Sequence, residues 1–473
     1  MTPGGTWAPE RRLLTVALIG LVTAAAFEGM AVPTVLPAMA SELGDLQLYG
    51  WAFSAFWLTN IVGITLAGAD ADRHGPARAL AIGTVLFAVG MLVSGLAPSM
   101  PVVIVGRAIQ GFGSGALGSV VYAAIARAYS PSAVPRMIAL ISSAWVVPGL
   151  VGPALAGLAS DSVGWRWVFL GIVPAVLLMG FALYLMLAGL GPVDRTSESQ
   201  QSDRKRARDA VGLAVGSTML LTALSIGSPL PAVILAVAGG WLGLRSLRPL
   251  LPEGSLRLAP GRPSVAIAMF AISFAFFGTE AFVPLSVVEL RGGTVTLGGL
   301  ALSAAAVTWV IGSWLQDRAA GIGMRRTLVV AGAGLIAAGI AVTAGVLVPD
   351  VPVLIAPVGW AIAGLGMGLA YSMLALLMLE TAGPAEAGFS SAALQLMYTL
   401  GTAFGAGIGG AVVAVSASGA LGLELAQAIG IVFAIMAVVA MLSVVVGWRV
   451  PRGPSEQPAS GERPVLPVPL EHP

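Results

Sequence analysis

Apolar runs of about twenty residues recur along almost the whole chain, separated by short polar stretches. A helix rises 1.5 Å per residue, so crossing a hydrocarbon core about 30 Å thick takes roughly 20 apolar residues. Runs of that length lie near 13–39, 48–69, 77–97, 101–128, 135–160, 165–190, 264–290, 296–315, 327–348, 351–379, 387–415 and 421–448. Two shorter runs, 210–227 and 231–247, are joined by Ser228-Pro229-Leu230 and bring the count to fourteen. A re-entrant pair there would leave twelve. The pattern predicts an all-α polytopic membrane protein.

The polar stretches set the divisions. Residues 1–12 form an N-terminal segment and 13–190 a six-helix bundle. Residues 191–209 form a basic linker with Arg204-Lys205-Arg206 and Arg208, and 210–247 two inserted membrane helices. A second linker spans 248–263, a second six-helix bundle 264–448, and a Pro-rich tail, expected to be disordered, 449–473. With the N-terminus inside, cytoplasmic segments hold 21 of the 24 Lys and Arg. Arg166 and Arg291 fall outside and Arg107 falls within a span. One missed span would scramble that bias, so both termini are expected in the cytoplasm.

Composition supports this reading and narrows the chemistry. The chain is 57% hydrophobic and 10% charged, against about 25% charged in a soluble domain. It has no cysteine, and its two histidines, His74 and His472, are far apart in sequence. No metal site and no cofactor is expected, and nothing points to a nucleic-acid partner. The first apolar run is too long for a cleaved signal peptide.

Three charges stand inside spans. Glu28 and Glu280 each precede a proline within an apolar helix, in Phe27-Glu28-Gly29-Met30-Ala31-Val32-Pro33 and Thr279-Glu280-Ala281-Phe282-Val283-Pro284. Arg107 is the third. Charge in hydrocarbon is costly and marks a functional site by default. Glu28 lies sixteen residues past Arg12, roughly 24 Å along a helix. Glu280 lies eighteen past Arg262. Arg107 is six past Pro101, roughly 9 Å below the outer face. All three therefore fall in the outer half of the membrane, where Glu28 and Arg107 can meet.

The halves repeat. Arg107-Ala-Ile-Gln-Gly-Phe-Gly-Ser-Gly115 matches Trp360-Ala-Ile-Ala-Gly-Leu-Gly-Met-Gly368 at an offset of 253, and Glu28 matches Glu280 at 252. Asp72-Arg73 matches Asp317-Arg318 at 245. Repeated bundles around a central site are a transporter architecture. The pattern Gly113-x-Gly115-x-x-Gly118 resembles a dinucleotide fingerprint, but it lies within an apolar span, where close helix packing explains it.

Gly68-Ala-Asp-Ala-Asp72-Arg73-His-Gly75-Pro-Ala-Arg78 between the second and third spans resembles the loop motif of the major facilitator superfamily. Asp70, Pro76 and Ala77 depart from that motif. Arg107-x-x-Gln110-Gly111-x-Gly113 resembles the family's buried-arginine motif. Gly149-x-x-Gly152-Pro153-x-x-x-Gly157 resembles its antiporter motif, with Pro148 and Ala156 at positions where glycine is usual. The resemblance covers residues 13–448 and is closest to the fourteen-span drug:proton antiporter branch. It implies a major facilitator fold, a bacterial plasma membrane location, and a conformational latch at Gly68, Asp72, Arg73 and Gly75.

The chemistry then expected is transport, not catalysis. Apolar surroundings favour a neutral glutamate and a nearby arginine favours the carboxylate, so an acid between them suits a proton switch. Glu28 is the expected main proton- or cation-exchanging acid, Arg107 its tuner and Glu280 a second acid on the opposite wall. The plainer alternatives are a fixed Glu28–Arg107 ion pair and a Glu280 that hydrogen-bonds within its own bundle. Phe27, Trp57, Phe277, Trp309, Trp360, Tyr371, Gln395 and Tyr398 are the candidate lining of a substrate cavity, because aromatic faces attract cations. Glu289 and Arg291 at the outer boundary are expected to be merely solvated.

The leading expectation is export of amphipathic, often cationic, small molecules in exchange for protons, by one chain embedded in the bilayer. The alternative on the same scaffold is export of a lipid or lipid-like metabolite. A structural or sensory membrane protein leaves the matched acids unexplained. An ATP-driven pump lacks its phosphate-binding loop.

Overall fold

A computed structural model describes residues 6–7, 9–130, 132–192, 197–226, 228–320, 324–382, 386–419 and 422–451. The tail from Arg452 onward, with its expected disorder, lies outside the described residues. The helices are α1 Pro9–Leu43, α2 Tyr49–His74, α3 Pro76–Gly95, α4 Met100–Ala128, α5 Val134–Ser143 and α6 Val146–Val163. Next come α7 Arg166–Leu170, α8 Val173–Leu187, α9 Ser197–Ser225, α10 Pro229–Leu247, α11 Arg262–Glu280 and α12 Val283–Leu285. The last are α13 Val295–Ala320, α14 Arg325–Thr343, α15 Ile355–Glu380, α16 Ala387–Ala417 and α17 Leu425–Gly447. Among the described residues there is no strand. Among the described residues 14 helical segments are long and apolar enough to cross a membrane. An even number brings both ends to one face, here called the terminal face. The opposite one is the far face.

Three spans are broken, each four residues before a proline. The fifth breaks at Ala144, before Pro148. The sixth breaks after Leu170, before Pro174. The ninth breaks after Glu280, before Pro284, and continues as α12 and a π turn, Ser286–Leu290. Proline has no N–H to give the carbonyl four residues back, and its ring crowds that carbonyl. The stretch 191–209, expected as a linker, is instead helical from Ser197 and continues into the first inserted span. Its Gln, Lys, Arg and Ala are strong helix formers and no breaker interrupts them. Likewise α1 starts at Pro9, inside the segment expected to precede the first span.

The repeat is visible in how helices touch. A Cβ added at Gly111 on α4 would lie 2.1 Å from the Phe56 carbonyl oxygen, and one at Gly364 on α15 2.2 Å from that of Ala305. Gly115 faces the Asn60 carbonyl as Gly368 faces that of Trp309, both at 2.2 Å. Such approach requires small residues. These pairs fix an offset of 249 between α2 and α13. The sequence match of Asp72 with Asp317 is therefore one turn out of register, and Asp317 answers to Gly68.

One hydrophobic core fills the C-terminal bundle and continues into the far-face ends of α1, α2 and α4. The terminal-face half of the N-terminal bundle has a separate core of its own residues. The bundles are joined on the far side. There Gly50 abuts Gly410, the Ser54 hydroxyl donates to the Ala403 carbonyl at 2.8 Å, and Gly299 abuts the Pro153 carbonyl. Toward the terminal face Ser142, Ser143, Ser391 and Gln395 are exposed. The molecule is closed at the far face and parted at the terminal face. The inserted helix α9 lies along the seam, with Leu221 packed against Leu58 and Ala403.

Candidate functional site

The buried charge of the N-terminal bundle is a compact centre built on α1, α2 and α4. Gly111 and Gly115 bring α4 against α2 closely enough for Arg107 Nε to donate to the Ala52 carbonyl at 3.2 Å. Arg107 Nη1 donates to Glu28 Oε1 and, at 2.8 Å, to Gln110 Oε1. The guanidinium also sits over the Phe56 ring, 4.3 Å from its centroid. Both charged residues are buried, at 2% exposure for Arg107 and 1% for Glu28. Among the described residues Glu28 Oε2 and Gln110 Nε2 make no further hydrogen bond within 3.5 Å. The expected meeting of Glu28 and Arg107 is present. Gln110, Phe56 and the Ala52 carbonyl join them. Gln110 had a visible signal in the arginine motif, whereas a backbone carbonyl has none.

The matching acid of the C-terminal bundle is set differently. Glu280 closes α11 at the proline break and is 8% exposed. Its side chain has no ion-pair or hydrogen-bond partner among the described residues. At the position matching Arg107 stands Trp360, fully buried and stacked on Phe276, with ring centroids 4.7 Å apart and its indole nitrogen unpartnered. Tyr49, from the other bundle, donates its hydroxyl to the Ala281 carbonyl at 2.8 Å, immediately beside Glu280.

Aromatic rings run from one centre to the other. Phe56 meets Trp57 edge-on at 5.3 Å, and Trp57 meets Tyr398 across the bundles at 5.8 Å. Tyr398 meets Phe277 at 5.3 Å and Tyr371 at 5.8 Å, and Tyr371 meets Trp309 at 5.6 Å. Tyr398 is also within electrostatic reach of Glu280. Five of the eight candidate lining residues thus form one cluster. Phe27 is elsewhere, against Gly152 between α1 and α6. Trp360 is fully buried behind the cluster, reached from Phe277 and Trp309 through Phe276. Gln395 is exposed, and its described hydrogen bond is made by its backbone carbonyl, to Thr399.

The motif residues have structural roles that the contacts define. Gly75 has φ 89°, and a Cβ there would lie 2.4 Å from the Leu190 carbonyl oxygen. Gly68 gives room to Ser119. Asp70, the departure from the loop pattern, pairs with His74 at 2.8 Å and Arg78 at 3.8 Å. Arg73 borders a depression between α2 and α9 together with Asp203 and Arg204, and Asp72 also has an interaction partner. In span five, Gly149 faces Ala306, Gly152 faces Phe27, Pro153 faces Gly299 and Gly157 faces Thr296. Three of these four therefore pack on the opposite bundle at the far face. Gly113 and Gly115 pack on Phe87 and Asn60. Arg291 is more than solvated, since it donates to the carbonyls of Val346, Val348, Pro349 and Val351.

Comparison with known proteins gives a consistent result. The family model described as Major Facilitator Superfamily matches residues 17–406. A probable multidrug-efflux transporter of Mycobacterium tuberculosis is 28% identical over 470 residues, covering 94% of this chain and 96% of its own length. A multidrug transporter protein of Bacillus subtilis is 25% identical over 422 residues, covering 85% of this chain and 75% of the other. Among solved structures, a D-xylose-proton symporter superposes with TM-score 0.63 at 16% identity, covering 93% of this chain and 98% of the other. A bacterial homologue of the human lysosomal transporter Spinster superposes with TM-score 0.65 at 14% identity, with the same coverage of both chains.

Proposed function

The chain belongs to the major facilitator superfamily, and we propose that it is a proton-coupled exporter of amphipathic, often cationic, small molecules working by alternating access. It sits in a bacterial plasma membrane with both termini in the cytoplasm, the side its basic residues favour. The drug class is supported by relatives named as multidrug-efflux transporters. The observation that carries the reading is the aromatic bridge linking a paired acid to an unpaired one.

The two acids divide the work. Glu28 already has a cation, held in turn by Gln110, Ala52 and Phe56. Removing one member of a buried pair strands the other charge, so this centre resists exchange. Among the described residues Glu280 has no cation of its own. An unpaired carboxylate is costly in a low-dielectric interior, so this carboxyl carries either a proton or a cationic cargo. Competition between the two is antiport at its simplest. The weight that the arginine gives Glu28 in sequence therefore moves to Glu280. A proton moving down the membrane potential supplies about 2.3 kcal/mol per 100 mV.

The test is reconstitution in vesicles with a pH dye inside. Tetraphenylphosphonium added to the side facing the terminal face is expected to drive proton movement in the opposite direction. No cargo-linked proton flux with any organic cation would overturn the antiport reading. Transfer of a labelled lipid instead would place the cargo in the lipid class.

A further inference from the structure

Where α6 meets α13, the far-face seam is closed by two kinds of contact. One is the small-residue packing of α6 on α13. The other is polar and belongs to none of the motifs. Asp161, near the end of α6, directs its carboxylate at the first turn of α13 in the opposite bundle. Oδ1 accepts the Val295 N–H at 3.3 Å, and Oδ2 accepts the Thr296 N–H at 2.9 Å and the Thr296 hydroxyl at 2.6 Å.

Helix starts leave their first N–H groups without intrahelical partners and carry partial positive charge. Within its own bundle α13 satisfies one of them, because Thr294 Oγ1 accepts the Leu297 N–H at 3.1 Å. Asp161 takes the two before it. A helix of one bundle is thus capped jointly by its own threonine and by a carboxylate of the other bundle. One turn earlier on α6, a Cβ at Gly157 would lie 2.5 Å from Thr296 Cα, so the backbone contact and the cap converge on the same residue.

We propose that Asp161 is a far-face latch. It holds α13 when that face is closed and releases it when that face opens. The inference rests on the alternating-access reading above. The chemistry suits repeated opening. Asp161 is exposed, so on separation its carboxylate and the freed N–H groups pass into water without the penalty that a buried ion pair would carry. The latch biases the two states without locking either. The α2–α16 seam differs. At its far-face end the described contacts include Gly50 on Gly410 and the Ser54 hydroxyl on the Ala403 carbonyl, both uncharged.

The chain has no cysteine, so spin-label pairs can be placed without background. Leu96→Cys with Val348→Cys reads the far face, and Ile138→Cys with Met324→Cys reads the terminal face. All four positions are exposed. Loss of a helix cap predicts that Asp161→Ala raises the far-open population about fivefold. Asp161→Asn keeps an acceptor without the charge and falls between. Thr296→Val removes one donor and shifts the population the same way by less. Unchanged far-face distances in folded Asp161→Ala overturn the latch. Should that variant not fold, unchanged distances in Thr296→Val overturn it alone. If the parent protein keeps one far-face distance whatever the cargo or proton gradient, alternating access itself fails. That outcome is distinct from a parent with two states that Asp161 does not influence.

Discussion

The two bundles carry matching glutamates in opposite circumstances. Glu28 is held by Arg107, which is held by Gln110, a backbone carbonyl and a ring face. Glu280 faces a bundle in which the corresponding arginine is a tryptophan stacked on Phe276. Duplicated helices with near-identical glycine contacts have therefore kept the frame and diverged in charge. A paired buried acid stabilises one arrangement of helices. An unpaired one leaves a vacancy for a mobile cation or a proton. In the proposed mechanism it is therefore the acid without an arginine that exchanges its proton.

The comparison can be broken at several strengths. Arg107→Ala leaves Glu28 buried without its partner and is expected to destabilise the folded protein by about 3–5 kcal/mol in detergent unfolding. Adding Glu28→Gln should recover a substantial part of that loss. If it does not, the two residues are not energetically coupled. Trp360→Ala should also be costly through its cavity, about 3–5 kcal/mol, yet Glu280→Gln should give it no rescue.

Smaller steps sharpen the contrast. A Cβ at Gly90 would lie 2.5 Å from the Gln110 nitrogen, and one at Gly339 2.4 Å from the Ala363 nitrogen. Alanine at either should cost about 1–3 kcal/mol by overpacking. Only Gly90→Ala displaces the residue that braces Arg107, so only its cost should shrink when measured in the Arg107→Ala background. Smallest is Trp57→Leu at the centre of the aromatic bridge. Losing one cation–π face should weaken binding of an aromatic cation by about 1 kcal/mol, roughly fivefold. An equal loss for a neutral cargo would reduce Trp57 to packing.

Much of the fold was legible because membrane physics writes it in long runs. The spans follow from run length alone, and Glu28, Arg107 and Glu280 are buried within them. The linker was legible from its polarity, but its helical form was not drawn from it, although the 197–209 stretch lacks any Pro or Gly to interrupt the start of α9. The register of Asp317 was misread because a two-residue match outweighed the glycine frame, whose contacts appear only in three dimensions. The pairing of Glu28 with Arg107 was readable, whereas the solitude of Glu280 was only half so. Sequence shows the tryptophan at the arginine's place but not that, among the described residues, no cation pairs with the acid. Trp360 looked like lining because a large aromatic in a span signals either surface or core.

The most direct measurement is gradient-driven cargo transport in vesicles with Glu28→Gln and Glu280→Gln side by side, each also assayed for downhill cargo movement. The account predicts that Glu280→Gln abolishes uphill transport and cargo-linked proton flux while the protein remains folded, and that Glu28→Gln retains coupled transport at a reduced rate. Uphill transport surviving in Glu280→Gln but lost in Glu28→Gln would contradict it and return the proton to the paired acid.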